Sequence, residues 1–245
     1  MKLIAPALLL TLFCLTSPAR AQSGRELIEE AMQRYALPAH VYEEHALVMT
    51  DRLGRHTVRT ARYYVLRDAN GSRNLHVIET PADLKGAAIY FERTVPEGAR
   101  RGAAASSPVF GTNFLVADLE GEQPHAFQYS RESDQDLERI AHFVLRAQPV
   151  DASVIRATGY HERRIYLRKD NLFISRIDYQ DGAGRQAKRL SYRDPRPDES
   201  GIWRAGMLLM EDLRDGRRTL LKVERRVHSP DYVPAAVFAG LQASQ

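Results

Sequence analysis

A chain of 245 residues with 35 Lys and Arg against 31 Asp and Glu carries a formal charge of +4, too even a balance to point to nucleic acid as a partner. Its 44% hydrophobic content supports a packed core, and a single cysteine, Cys14, excludes an internal disulfide framework. Stability must therefore come from packing rather than from covalent staples.

The first residues, MKLIAPALLLTLFCLTSPARA, place one lysine before an apolar run from Leu3 to Leu15 and end on Ala19-Arg20-Ala21. That order is a secretory signal peptide over residues 1–21, with cleavage after Ala21, and the apolar run is short for a bilayer span. Leu12 and Phe13 stand where lipid attachment at Cys14 requires small residues, so no acyl group is expected there. Losing Lys2 and Arg20 lowers the formal charge from +4 to +2. No later stretch is long and apolar enough to span, so no transmembrane segment is expected in residues 22–245.

After Gln22, Ser23 and Glu26 form a capping-box pattern ahead of Leu27, Ile28, Ala31 and Tyr35 on one helical face, until Pro38. The period then becomes two. VYEEHALVMTD, RHTVRTARYYVLRD, RNLHVIET and AAIYFERTV read as strands separated by RLG, ANGS and PADLKG, the spacing of an antiparallel meander. Pro96 to Pro108 reads as a mobile surface loop, and VFGTNFLVADLEG as a turn and short helix capped by Thr112 or Asn113. DQDLERIAHFVLRA fits helical and strand periods equally. From Tyr160 the strands return, and the segment Leu172 to Asp194 folds about Asp181-Gly182-Ala183-Gly184. Neither of its faces is uniform: Lys188 shares a face with Leu190 and Tyr192, and Arg189 lies opposite. In the last strand Thr219, Leu221, Val223 and Val227 form a dry side against Lys222, Glu224, Arg226 and His228. A closing short helix anchored by Phe238 and Leu241 is expected in VPAAVFAGLQ.

No nucleophile elbow, phosphate-binding glycine loop or His-Glu-x-x-His helix occurs, and His40 and His45 lack a third ligand at a metal spacing. The sequence points to a binding protein, not an enzyme, with no cofactor and no metal. ETPADLKGAAIYF, GTNFLVADL, the Leu172 to Asp194 hairpin, GIWRAGMLLMEDLRDGRRTLLKVE and VPAAVF occur in the order found in LolA-like outer-membrane lipoprotein-sorting proteins, and the chain resembles that family over nearly its whole length. Leu115, Val116 and Ala117 depart from it, replacing a more acidic, aromatic segment.

The resemblance implies a mainly β fold: a strongly curved antiparallel sheet, an unclosed half-barrel, with helices covering its concave face and a hydrophobic cavity inside. It implies one domain over residues 22–245, in the periplasm, carrying a lipid or the acyl chains of lipoproteins toward the outer membrane with an inner-membrane transporter as partner. The alternative is a periplasmic sensor of lipidated or misfolded partners, and a lipid hydrolase is the third reading. The apolar side chains expected to line the cavity are Met49, Tyr64, Phe91, Phe114, Phe143, Phe173, Ile177, Leu190, Trp203 and Met210. On the strand of Trp203, Met207 and Leu209 share its parity while Leu208 and Met210 oppose it, and both sets are apolar.

Overall fold

The computed structural model describes residues 22–94 and 100–239, so the expected signal peptide, Cys14 and Leu241 lie outside it. The capping box forms as expected: the Ser23 hydroxyl accepts from the Glu26 amide at 3.2 Å, and the Glu26 carboxylate accepts from the Ser23 amide at 2.7 Å. It starts α1 (Gly24–Arg34), whose buried face is Leu27, Ile28 and Ala31. Gly24 is required by a close approach, because a Cβ there would lie 3.1 Å from the backbone of Ser130.

Four long strands follow, β1 (His40–Thr50), β2 (His56–Asp68), β3 (Gly71–Thr80) and β4 (Ala88–Thr94). The region expected as a loop up to Pro108 instead adds a short edge strand, β5 (Arg100–Gly102), paired with β4. The ambiguous DQDLERIAHFVLRA segment is a hairpin of β7 (Gln135–Leu137) and β8 (Ile140–Pro149), preceded by β6 (Phe127–Arg131). Glu138 and Arg139 both take positive φ, 51° and 67°, so a two-residue left-handed turn overrides the helical spacing. The rest of the chain is β9 (Glu162–Arg168), β10 (Ile174–Gln180), β11 (Gln186–Pro197), β12 (Trp203–Asp212) and β13 (Arg218–Val227).

All thirteen strands join one antiparallel sheet in the order β5-β4-β3-β2-β1-β13-β12-β11-β10-β9-β8-β6, with β7 also on β8. Its edges, β5 and β6, do not meet, so it is an unclosed half-barrel. Three hairpins repeat one turn device. Asp51, Asp181 and Asp198 each accept backbone N–H groups two and four residues on, at 2.8 to 3.0 Å, before Gly54, Gly184 and Gly201 at φ 73° to 78°. An aspartate-turn followed by a left-handed glycine is the local signal that sets these registers.

The inner face carries the main core, in which Leu27 and Ile28 of α1 pack with Leu47, Ile78, Leu145, Ile165, Leu190 and Met210. A second, smaller core lies on the opposite face, where Val233 and Phe238 of the C-terminal segment cover Tyr42, Leu75 and Tyr90. The expected closing helix is two short 3₁₀ turns, Pro230–Tyr232 and Ala235–Phe238, with Phe238 buried.

The expected dry and wet sides of the last strand are corrected by a β-bulge. Glu44 pairs Arg225 while His45 pairs Val223, so Glu224 is skipped and parity inverts beyond it. Arg226 thereby turns inward to Glu43 and Val227 joins the Tyr42 side.

Candidate functional site

Two short helices and the segment leading into the first cover part of the inner face. Residues 103–119 cross from β5 over the core and end in α2 (Val116–Leu119); α3 (Ala152–Thr158) links β8 to β9. The expected cap of α2 is corrected: the Asp118 carboxylate holds the Leu115 amide at 2.8 Å, and Asn113 serves elsewhere. Its amide donates to the Thr219 hydroxyl at 3.1 Å and its side-chain oxygen accepts from that hydroxyl at 3.1 Å, pinning the crossing segment to β13. Asp151 caps α3 by accepting from the Ser153 amide at 2.6 Å, and Gly159 ends it at φ 75°.

Between α2 and α3 lies a cleft of about 510 Å³. Phe127, Tyr160 and Tyr179 line it and also belong to the main core, so its floor is the core itself. Ala104, Ala117 and Ala157 give it small walls. A volume of this order is that of a ligand site. Another depression, about 570 Å³, lies where β11 and β13 approach Asp198, lined by Asp194, Arg196, Arg204, Arg226 and other charged side chains.

Charged groups are buried along the first cleft. Arg163 lies 3.7 Å over the Phe127 ring and donates twice to Glu122, at 2.9 and 2.8 Å. Tyr160 donates to Asp118 at 3.2 Å and accepts from Lys188, which also donates to the Asn113 carbonyl at 2.8 Å. Burial pushes the Asp118 carboxyl up, partly offset by the nearby Lys188, and burial pushes the Lys188 ammonium down. The Asp118 Oδ1 and Arg163 Nε atoms are buried with no hydrogen-bond partner among the described residues. The Lys188 and Tyr160 bonds tie the covering segment to the sheet side, and the Arg163–Glu122 ion pair does the same for the chain just after α2.

The structure places the ten expected lining residues unevenly. Phe91, Phe114, Ile177, Leu190 and Met210 are together in the main core, and Phe143 packs against it under Arg131 and Lys169. Phe173 joins by edge contacts with Tyr35 and Tyr192. Met49 is half-buried opposite Thr219. Tyr64 packs at a tilt against Tyr42 on the other face. Trp203 is half-buried, with the Arg168 guanidinium 5.5 Å from its ring and a parity opposite to Leu208 and Met210, which meet the core. None of the ten is among the side chains lining the 510 Å³ cleft.

Tyr160, Arg163 and Glu122 were not legible as site residues. A usable signal existed, since Arg163 shares strand parity with Ile165 and Leu167, as Lys188 does with Leu190; a base on an apolar face is held there by something. Among the described residues no three His, Cys, Asp or Glu converge as a metal site, and no helix is long and apolar enough to cross a membrane.

Fold and site define an open antiparallel half-barrel with a strapped inner face. A family profile described only as that of a "-like: Uncharacterized protein" matches residues 97–239, more than half of the chain. A domain from Vibrio parahaemolyticus assigned to outer membrane lipoprotein sorting has the same fold at TM-score 0.71 and 18% identity, over 87% of this chain and 97% of that one. A DUF1329 family protein from Desulfovibrio piger gives the same figures, and a LolA superfamily protein from Nitrosomonas europaea matches at TM-score 0.66 and 16% identity, over 89% and 98%. No curated protein matches the sequence. The chain belongs to the family that this profile describes, and its fold is LolA-like.

Proposed function

We propose that residues 22–245 form one periplasmic binding domain that carries a lipid, or the acyl chains of a lipoprotein, toward the outer membrane. The observation that carries this reading is the continuity of cleft and core: Phe127, Tyr160 and Tyr179 belong to both. An acyl chain entering the cleft meets an apolar floor and advances by prising the 103–119 segment from the sheet. Each buried methylene is worth about 0.8 kcal/mol, so a sixteen-carbon chain gains on the order of 12 kcal/mol gross. Displacing the segment offsets part of that gain, which keeps release possible, as a carrier requires. The polar ties to Asp118, Lys188 and Arg163 are what must yield or be replaced. Transfer from an inner-membrane transporter fits the same reading, and no catalytic step is needed.

Native mass spectrometry of the protein purified from periplasm tests it, together with displacement of a fluorescent fatty acid. One co-purified lipid per chain, displaceable by lipopeptide, is expected. A ligand-free mass under gentle conditions, with no fatty-acid binding by the purified protein, overturns the reading.

A further inference from the structure

The end of the half-barrel nearest Tyr160 and Tyr179 of the cleft is also where three of its hairpins turn. The β1–β2 tip (51–55) and the β12–β13 tip (213–217) are neighbours, because Thr50 pairs with Arg218 and Arg52 lies 3.4 Å from Asp215. The β10–β11 tip stands beside them, since Leu213 donates its amide to the Ala187 carbonyl. The cleft approaches this end through Tyr160 and Tyr179, which flank the pairing of His161 with Gln180, and the covering segment does so through Asn113, whose side chain reaches the Arg217 carbonyl.

This rim has an unusual surface. Leu53 is 78% exposed and Leu213 43% exposed, each at a hairpin apex with an arginine on its flank. Val58 and Val150 bring to four the large hydrophobic side chains exposed at this end, against two, Leu37 and Tyr232, elsewhere among the described residues. The charges are layered. Arg52, Arg55, Arg185, Arg214 and Arg217 have side chains 50 to 79% exposed, whereas the aspartates that pair with them, Asp51, Asp181, Asp212 and Asp215, are 3 to 33% exposed. Those carboxylates are occupied in capping turn amides beneath. At these three tips the outermost charge is therefore guanidinium, although acids and bases nearly balance by count.

We infer that this rim docks on an anionic phospholipid bilayer, with Leu53 and Leu213 entering the headgroup region and the arginine collar on the lipid phosphates. Apolar tips inside a collar of planar cations match that interface: the leucines leave water, and guanidinium groups take phosphate oxygens pairwise. The inference goes beyond acyl carriage and does not depend on it, since vesicle binding requires no chain in the cleft.

Cosedimentation of the mature chain with vesicles tests it. Binding is expected to vesicles of equal phosphatidylglycerol and phosphatidylcholine, and weak binding to pure phosphatidylcholine. Leu53→Asp should lower affinity for the anionic vesicles about tenfold, and Arg52→Ser on the order of fivefold, with melting temperatures unchanged because both side chains are outermost. Leu37→Asp, at a distance from the rim, should bind as the parent does. Indifference of the parent to anionic vesicles, or parental binding by Leu53→Asp, overturns the inference. So does crosslinking from position 53 to a membrane protein in a parent that ignores protein-free vesicles.

Discussion

The Glu43, His45 and Arg226 group and the Asp118, Tyr160 and Lys188 group are both buried on the inner face, yet they join different things. The first links neighbours within the sheet: Glu43 lies 2.6 Å from His45 and 2.5 Å from Arg226 of the adjoining strand, beside the Tyr63 hydroxyl's 3.0 Å bond to Asn74. The second links the covering segment to the sheet, through Tyr160 to Asp118 and Lys188 to the Asn113 carbonyl. Buried charges that tie strand to strand fix register and, under the opening proposed for acyl entry, stay put. Those that tie cover to strand resist opening and set its cost. The proposed function thereby assigns stability and access to separate groups.

The largest expected effect breaks the first group by pH. His76 is stacked on Tyr63 at 4.2 Å, its Nε2 is buried with no hydrogen-bond partner among the described residues, and burial, aided by His45, lowers its pKa from 6.5 to about 3. Burial alone would raise the Glu43 carboxyl, but the His45 bond and Arg226 hold it at about 2. Both folded values lie below the unfolded ones, so the unfolded chain takes protons first and stability is lost as pH falls, through His76 from 6.5 to about 3 and through Glu43 from 4.5 to about 2. Urea unfolding should show about 3 kcal/mol lost between pH 6.5 and 4, because each pH unit between the folded and unfolded midpoints is worth about 1.4 kcal/mol. His76→Phe keeps the stacking and should flatten most of that slope; His142 and His228, lowered by burial in the same sense, supply the remainder. Equal stability of the parent at pH 6.5 and 4 would contradict the assignment.

The next effect sharpens the comparison with two carboxylate-to-amide changes. Glu43→Gln leaves Arg226 and His45 without their shared anion and should cost about 3 kcal/mol, with acyl-ligand association unchanged per folded molecule. Asp118→Asn keeps an acceptor for the Leu115 amide and Tyr160, removes the charge facing Lys188, and should cost about 1 kcal/mol. Its signature is kinetic: stopped-flow fatty-acid association should quicken several-fold because the cover lifts more readily. Identical association rates in both variants would remove the division of roles.

The first group also marks where sequence reading stops. The capping box of α1, the four early strands and the aspartate-glycine hairpins were legible because each is decided within about five residues. The inward turn of Arg226 was not, because a bulge that skips Glu224 inverts parity and is selected across strands by Glu43. The α3 helix stays hidden in the sequence although Asp151 and Gly159 bracket it, since seven residues give too short a period to stand out. Tyr42, Leu75 and Tyr90 could be placed on their face only once Phe238 was known to cover it. At the cleft, Asp118 was visible as part of a motif, but Tyr160, Arg163 and Lys188 converge from β11 and the start of β9 through tertiary packing alone.

The smallest effect belongs to the outer face, where neither group reaches. Asp178 is 5% exposed and accepts from Arg176 at 2.8 Å, Arg189 at 2.9 Å and the Tyr166 hydroxyl at 3.4 Å. Arg189 is itself 30% exposed in its side chain, so water partly screens the pair, and Arg176 remains to neutralise the carboxylate when Arg189 is lost. Arg189→Gln should therefore cost about 0.5 kcal/mol in urea unfolding and leave fatty-acid affinity unchanged, although Ile177, one residue before Asp178, is in the core below. Arg176→Gln in the same chain strips the second cation, and the double variant should lose more than the sum of the singles, because only then is the buried carboxylate left uncompensated. Additive losses would mean that Asp178 is hydrated well enough to need neither arginine, and a shifted ligand affinity in Arg189→Gln would mean that the outer face is coupled to the cleft.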